Sequence, residues 1–348
     1  MKIWIATGGT GGHVFPALAV AQELTERGHR VIISSDYRTM QMVKRDKPSG
    51  ARVAFVWASG VGGRGKIRQA IALCKIGISA LLLWLRFMIS RPARVVAFGG
   101  YASVPVVLAA HLWKIPTLLH EQNAAIGRAN TFALRWVRIL MTSFPKVSGI
   151  PQNAALKVIY TGLPVRKDFL ALSNKPLSGN MHLFVTGGSL GAQILDDVVP
   201  LAVADLQNKK IFITHQTRPE NVVRLQKFYA DRKIRANVLS FVHDMAGVIA
   251  ESDLIIGRSG ASTVGELQTI GRPAILVPLG INPDQAANAE NFANSGAGFA
   301  IPQNKFSQKW LTATLKDLFN NPLRLTKMAE KAYVPNDAVR LIADQICG

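Results

Sequence analysis

One unit recurs along this 348-residue chain and limits what it can fold into: a short apolar run, a turn that bears glycine, then a helical pattern. In the first half the runs are IWIA (3–6), VIIS (31–34), VAFV (53–56), RVVAF (94–98), TLLH (117–120) and ILMT (139–142). A second series opens with HLFVT (182–186) and continues through KIFITH (210–215), NVLSF (237–241), LIIG (254–257) and AILVP (274–278). Runs that are apolar without alternation suit strands buried on both faces, which means parallel sheets covered by helices. Each series begins with a strand entering a double glycine, ATGGTGG and VTGGSLGA. A chain of this length suits two domains. The expected fold is α/β, two Rossmann-like domains facing across a cleft, with ligands at the carboxyl ends of the strands. SNKPLSGN (173–180), polar and bearing proline and glycine, reads as a linker between the two series.

The first glycine loop, Gly8 to Gly12, leads from IWIA into a helix expected from about Phe15 to Arg27. Consecutive glycines let backbone N–H groups approach a ligand, and a helix N-terminus favours a negative one. His13 stands at the mouth of this loop, a candidate general base or a structural histidine. A dinucleotide fingerprint would need glycine at position 14, where Val14 stands, although Asp36 is placed to meet a ribose. Neither glycine loop continues into the Gly-Lys-Ser/Thr of a Walker loop. Gly187 to Ala192 repeats the strand–glycine–helix pattern, with Ser189 adding a hydroxyl. GRSGASTVGELQ (257–268) offers small residues at a helix start and Glu266 one turn in, an arrangement for phosphate and ribose or a plain helix cap. Asp284, Gln285 and Asn288, where a further helix starts, suit sugar hydroxyls or capping.

Charge divides unevenly. Of a formal +20, residues 1–160 contribute +16, from 21 Lys and Arg against 5 acidic residues. Between Asp46 and Glu121 there are ten basic side chains and no acid. In that span a long helix is expected, with Ile67, Ile71, Ile78, Leu82, Leu85 and Ile89 at helical spacing and Lys66, Arg68, Lys75, Arg86, Arg91 and Arg94 around them. Trp84, Phe87 and Trp113 supply aromatics of the membrane-interface kind. A core helix with a solvated basic rim, a peripheral membrane patch and a nucleic-acid surface all fit this pattern, though no nucleic-acid-binding motif accompanies it. The most apolar part of the stretch, Ile76 to Leu85, is ten residues between Lys75 and Arg86, too short to span a bilayer. MKIWIATGG breaks into glycines too early for a secretory signal. Two cysteines, Cys74 and Cys347, exclude a disulfide scaffold and suit a reducing compartment.

Eight segments in fixed order then tie the chain to one family: ATGGTGGHVFPALAVA (6–21), FGGYASVP (98–105), LHEQNAAIGRAN (119–130), TGLPVR (161–166), GGSLGA (187–192), HDMAGVIAESD (243–253), RSGASTVGEL (258–267) and DQAANAENF (284–292). Together they resemble the MurG family, bacterial transferases that add N-acetylglucosamine (GlcNAc) to lipid I to form lipid II. The resemblance implies a metal-independent, inverting GT-B glycosyltransferase with no cofactor and with UDP-GlcNAc as donor. It implies an acceptor and membrane-associating domain over 1–165, a donor domain over 166–333, and a last helix within 334–348 packing back on the first domain. His13 becomes the base, with Thr10, Gly11 and Gly12 beside it. Asn123 would contact the donor sugar, Arg166 and Ser189 the diphosphate, and Val242 the uracil. Ala261, Ser262, Thr263, Val264, Gly265 and Glu266 would hold phosphate and ribose, and Gln285 the GlcNAc hydroxyls. Lipid I, an anionic membrane surface and other cell-wall synthesis proteins are the implied partners, nucleic acid is not, and the implied location is the cytoplasmic face of the bacterial membrane. The chain departs from the family pattern at Leu163, Leu190, Val104 and Asp284, where the family commonly has Asn, Gln, Gly, and His or Gln.

The chemistry asks for a base on the acceptor hydroxyl, positive potential for the departing diphosphate and a hold on the sugar. No Asp-x-Asp triplet occurs in the chain. Three alternatives make different demands. A GT-B enzyme with another lipid acceptor would share the nucleotide site only. A sugar-nucleotide epimerase would need carboxylates that the first half nearly lacks. A basic nucleic-acid binder would show salt-sensitive retention on DNA or RNA and no transfer.

Overall fold

The structure is a computed structural model that describes residues 1–60, 65–151, 158–207 and 210–348, with the side chain of Ser189 outside that set. It divides into two compact units, Met1–Arg166 with Asn336–Gly348, and Lys167–Pro335.

Unit 1 is built on seven parallel strands: β1 (Lys2–Ala6), β2 (Arg30–Ser35), β3 (Arg52–Phe55), β4 (Arg94–Ala97), β5 (Thr117–Glu121), β6 (Ile139–Thr142) and β7 (Val158–Tyr160). Their spatial order is β3-β2-β1-β4-β5-β6-β7, so the direction of winding reverses between β1 and β4. Alternation along each strand sorts the core. Trp4, Ala6, Ile32 and Val95 lie in one cluster with residues of α3 (Lys66–Ile89) and α4 (Ser103–Leu112), while Ile3, Ile5, Val31 and Val96 lie in another with α1 (Gly11–Glu26). Trp4 meets Phe87 of α3 edge-on at 5.0 Å and donates its indole N–H to Ser34 Oγ at 2.9 Å, so its one polar atom is satisfied inside the core. Two short helices, α2 (Met40–Asp46) and α5 (Arg128–Ala133), complete the unit's first stretch.

Unit 2 begins with α6 (Lys167–Ala171) and repeats the plan with six parallel strands, β8 (His182–Thr186), β9 (Phe212–Gln216), β10 (Arg235–Leu239), β11 (Leu254–Gly257), β12 (Ala274–Leu276) and β13 (Gly298–Ala300), in the order β10-β9-β8-β11-β12-β13. Its helices are α7 (Gln193–Leu206), α8 (Val222–Asp231), α9 (Met245–Glu251), α10 (Ala261–Ile270), α11 (Pro283–Asn294), α12 (Gln308–Asn320) and α13 (Pro322–Ala332). The chain then returns to unit 1 as α14 (Ala338–Cys347), whose Ile342, Ala343 and Ile346 are fully buried in the α1 side of that core. Arg27 at the end of α1 donates to Glu23 at 2.7 Å and to Asp344 at 2.6 Å, and these two carboxylates hold its guanidinium pKa above the ordinary value.

Several expectations are corrected. The segment 173–180 lies inside unit 2 rather than between the units: Ser178 Oγ and the Gly179 N–H bond Asp253, and the Lys175 and Pro176 carbonyls accept from Arg272. β7 and β13 are three-residue edge strands that no long apolar run announces. β10 starts two residues earlier than expected and β9 two residues later, because register with the neighbouring strand sets the pairing: Arg235 is opposite Phe212. Helix α1 begins at Gly11, so the glycine loop supplies the first helical turn.

Candidate functional site

In unit 1 the loops after β1 and β4 meet where the winding reverses. Thr10 is the extended N-cap of α1, and Gly11, Gly12 and His13 form its first turn. The Gly11 and Gly12 N–H groups precede the first intrahelical bonds, which His13 and Val14 make to the Thr10 carbonyl. No acidic side chain stands in that turn. The opposing loop fits only as glycine. Gly100 has φ +76°, and a Cβ there would lie 2.6 Å from the Gly8 carbonyl oxygen; a Cβ on Gly99 would lie 3.1 Å from His13 Cε1. Arg166, at the end of unit 1, places its guanidinium 5.3 Å from the centre of the Phe15 ring, which lies against Gly11 of the glycine loop.

β5 ends beside this loop and its alternation parts two roles. His120 and Gln122 share one side of the strand line, and Gln122 Oε1 is 2.9 Å from His13 Nδ1. Glu121 points the other way and is fully buried. Its carboxylate accepts from the Asn123 N–H and side chain, the Gly127 N–H and Asn130 Nδ2 at 2.7–3.0 Å, which fixes the 123–130 loop. Asn123 therefore stands next to the His13 partner, tied to Glu121. His120 is fully buried; desolvation lowers its pKa to about 4, against the raising effect of its bond to the Gly162 carbonyl. Asp36 is engaged by Thr39 Oγ1 at 2.9 Å and Arg38 at 3.0 Å, so its carboxylate locks the turn after β2 and is not presented to a ribose. Gln122, His120, Glu121 and Asn130 carried no role in the sequence reading of the site. The available signal was polar residues two apart at the end of an apolar strand.

In unit 2 the winding reverses between β8 and β11, and the loops after those strands carry the second set of residues. A Cβ on Gly187 would lie 2.3 Å from the Ala192 nitrogen, so the 187–192 turn closes only on glycine. Ser189 belongs to this turn, its side chain outside the described set; Leu190 beside it is 86% exposed. After β11, α10 starts at Ala261 behind an extended Gly260, with Ala261, Val264 and Gly265 packed inward and Ser262, Thr263 and Glu266 half-buried. Ser262 Oγ is buried with no protein partner, a hydroxyl poised for a ligand at the start of the helix. Gln285, on α11, accepts from the Leu279 N–H through Oε1 at 2.9 Å, and its backbone carbonyl accepts from Ser259 Oγ at 2.7 Å, which joins the two helix starts. Beside it Ile194, Pro278, Leu279, Asn282, Ala286 and Gln303 help line a cavity of about 640 Å³, within the range of small-molecule sites. Val242 follows β10 with its side chain buried, so only its backbone can meet a base. Thr10 to His13, Asn123 and Arg166 thus gather in unit 1, and Ser262 to Glu266 and Gln285 in unit 2.

α3 is longer than its ten-residue apolar centre indicated. Its 24 residues span about 36 Å, and it is long and apolar enough to cross a membrane by length and composition. Ala72, Ile76, Ser79, Leu83 and Phe87 are nevertheless packed inward, while Ile67, Ile71, Ile78, Leu81, Leu82, Leu85, Met88 and Ile89 are exposed. Trp84 and Trp113 stack at 5.7 Å, with the Trp113 N–H on the Trp84 carbonyl. The helix ends at the amino-terminal edge of the sheet, where Lys2 bonds Ser90. Lys2, Arg30, Arg52 and Arg94 are the first residues of β1 to β4. Burial first, then Arg86, Arg30 and Arg52, lower the Lys2 pKa, which shows these cations crowding one edge.

The chain matches the glycosyltransferase family 28 N-terminal domain over residues 3–142 and the C-terminal domain of the same family over residues 182–346. It is 39% identical over 341 residues to the UDP-N-acetylglucosamine--N-acetylmuramyl-(pentapeptide) pyrophosphoryl-undecaprenol N-acetylglucosamine transferase of Methylorubrum extorquens strain PA1, covering 95% of this chain and 92% of that one. The protein of the same description from Methylobacterium sp. strain 4-46 is 40% identical over 357 residues, 98% of this chain and 95% of the relative. Among solved structures, MurG of Acinetobacter baumannii superposes with a TM-score of 0.81 at 32% identity, over 99% of both chains.

Proposed function

The chain belongs to glycosyltransferase family 28, alongside the MurG transferases, and from that membership we propose how its residues divide the work. The enzyme is an N-acetylglucosaminyltransferase of peptidoglycan synthesis, taking GlcNAc from UDP-GlcNAc to undecaprenyl-pyrophosphoryl-N-acetylmuramyl-pentapeptide. Full-length kinship with proteins of that activity carries the assignment, since a GT-B fold alone names no acceptor.

His13 takes the proton of the acceptor's MurNAc 4-hydroxyl as its oxygen bonds the anomeric carbon of GlcNAc. The bond from that carbon to the UDP oxygen breaks on the opposite face, so configuration inverts and UDP leaves as the anion. Thr10, Gly11 and Gly12 border the acceptor with backbone N–H groups, and Asn123 meets the donor sugar. The start of α10, with Ala261, Ser262 and Thr263, faces the diphosphate, where the helix N-terminus and the orphan Ser262 hydroxyl favour the charge that develops on departure. Arg166 and Ser189 add to that field. Glu266 accepts from the ribose hydroxyls, Val242 offers backbone to the uracil, Val264 and Gly265 let α10 pack close, and Gln285 binds GlcNAc hydroxyls. In this reading the positive potential for the departing diphosphate comes from backbone N–H groups and Arg166 in place of a divalent metal.

The outward face of α3 and the basic strand edge give the docking surface for an anionic membrane, at the cytoplasmic side, where the lipid-linked acceptor is met. Each cation near such a surface adds about 1 kcal/mol, and the exposed isoleucines and leucines enter the acyl boundary. The test is radiolabelled UDP-GlcNAc with a lipid I analogue, with and without divalent metal. Labelled lipid product under both conditions is expected. His13→Ala and Glu266→Ala should each cut turnover by at least about a hundredfold with an unchanged fold. No product from the parent enzyme in either condition would refute the reading.

A further inference from the structure

His13 is the first member of a buried polar chain. Its Nδ1 is 2.9 Å from Gln122 Oε1, Gln122 Nε2 is 3.1 Å from His120 Nδ1 and 3.2 Å from the His120 carbonyl, and His120 Nε2 is 3.2 Å from the Gly162 carbonyl. The Gly162 carbonyl only accepts, so the hydrogen of a neutral His120 sits on Nε2 and its Nδ1 carries a lone pair. The group of Gln122 facing that lone pair must then be the amide NH2. The His120 carbonyl, which also only accepts, demands the same orientation independently. The Gln122 oxygen is thereby turned to His13, and it too only accepts.

We propose that Gln122 and His120 are positioning residues that set the tautomer of His13, holding its hydrogen on Nδ1 so that Nε2 keeps the lone pair that receives the acceptor hydroxyl's proton. The proposal rests on the reading of His13 as the base. Both positioning side chains are fully buried, which keeps the amide from turning over and prevents water from substituting for either bond. The depressed pKa of His120 keeps it neutral near pH 7, the state in which it has one hydrogen to place. The adjacent acid, Glu121, is spent on the 123–130 loop, so an amide does here what a carboxylate does in a Ser-His-Asp triad. A histidine side chain in water prefers its hydrogen on Nε2, so without the amide oxygen the base would lie mostly in its unproductive form. Reversing a tautomer in a triad enzyme costs up to about 10⁴ in kcat.

The decisive measurement is long-range ¹H–¹⁵N correlation of imidazole-labelled full-length enzyme at pH 7.5. Nδ1–H is expected for His13 and Nε2–H for His120. In Gln122→Met, His13 should move toward the Nε2–H form and kcat should fall at least tenfold, with the UDP-GlcNAc KM within about twofold of the parent. His13 in the Nε2–H form in the parent enzyme, or a Gln122→Met variant with parental kcat, overturns the proposal. The parent spectrum decides the matter even if Gln122→Met fails to fold. Near-parental turnover of His13→Ala would instead remove His13 as base, an outcome distinct from an Nε2–H spectrum in an enzyme that needs His13.

Discussion

At the scale of single residues, unit 2 depends on a cation that never meets water. Arg272 is fully buried and its guanidinium donates to the carbonyls of Ile249 and Ala250 at the end of α9 and to those of Lys175 and Pro176, while burial lowers its pKa to about 10. The favourable helix-end dipole and these acceptors, with the Gly271 carbonyl at 3.4 Å, together keep it charged. Arg272→Met removes these hydrogen bonds from a charged donor, each worth about 1.5–3 kcal/mol. Urea unfolding should therefore show unit 2 destabilised by several kcal/mol, with unit 1 unaffected. His120 has the opposite charge logic. Its folded pKa of about 4 lies below the ordinary value of about 6.5, so the unfolded chain binds the extra proton between those limits. The resulting stability is fully present above about pH 6.5 and is lost as pH falls toward 4, about 3 kcal/mol in all. A pH series of denaturant midpoints should show that loss, and His120→Gln should flatten it.

At the scale of elements, α3 shows one pattern of apolar spacing meeting two environments. Leu82 and Leu83 are neighbours in sequence, yet Leu83 is buried in the unit 1 core and Leu82 is exposed. The face picked out by Ile67, Ile71, Ile78, Leu82, Leu85 and Ile89 is the outward one; the inward stripe is set by Ala72, Ile76, Ser79, Leu83 and Phe87. Their substitutions should accordingly part. Leu82→Glu with Ile89→Glu should lower co-sedimentation with phosphatidylglycerol vesicles at least tenfold while the melting temperature stays put, since about 1.5–3 kcal/mol of burial is lost per side chain. Leu83→Glu should lower expression and thermal stability. Undiminished vesicle binding by the double variant would remove α3 as the docking face. The basic residues at the starts of β1 to β4 predict that this binding also weakens with salt, because their share of it is screened.

At the scale of the whole molecule, the chain leaves unit 1 at Arg166 and returns to it at Asn336. The Asn336 side chain donates to the Leu163 carbonyl at 3.0 Å, so crossing and return are tied together, and Ile342 and Ile346 then seal the α1 face. Trp4, Trp57, Trp84, Trp113 and Trp136 lie in unit 1 and Trp310 alone in unit 2, so tryptophan fluorescence reports mainly on unit 1. Ile342→Ala should lower the stability seen by fluorescence by about 2–5 kcal/mol, although residue 342 is remote in sequence from the tryptophans. An unchanged fluorescence transition would mean that α14 is dispensable to that core. All eleven strand-like runs start within two residues of their observed strands, because strands buried on both faces write apolar runs between glycine turns. AILVP is cut short at its end, pairing only over Ala274–Leu276, and the short edge strands β7 and β13 wrote no such run. That His13, Ala261–Glu266 and Gln285 stand at the starts of helices behind strand-end loops was legible for a similar reason, since glycine loops and helix starts are written in adjacent residues. Which side of α3 is covered, where 173–180 belongs, what Asp36 and Glu121 bind, and which nitrogen of His13 holds its hydrogen were not legible. Each of these is decided by contacts between residues distant in sequence, and their geometry exists only once the sheets have formed. The repeated strand–glycine–helix plan and the residue types at the loops are written locally along the chain; their partners were assigned by packing, because burial and hydrogen-bond direction belong to the folded molecule.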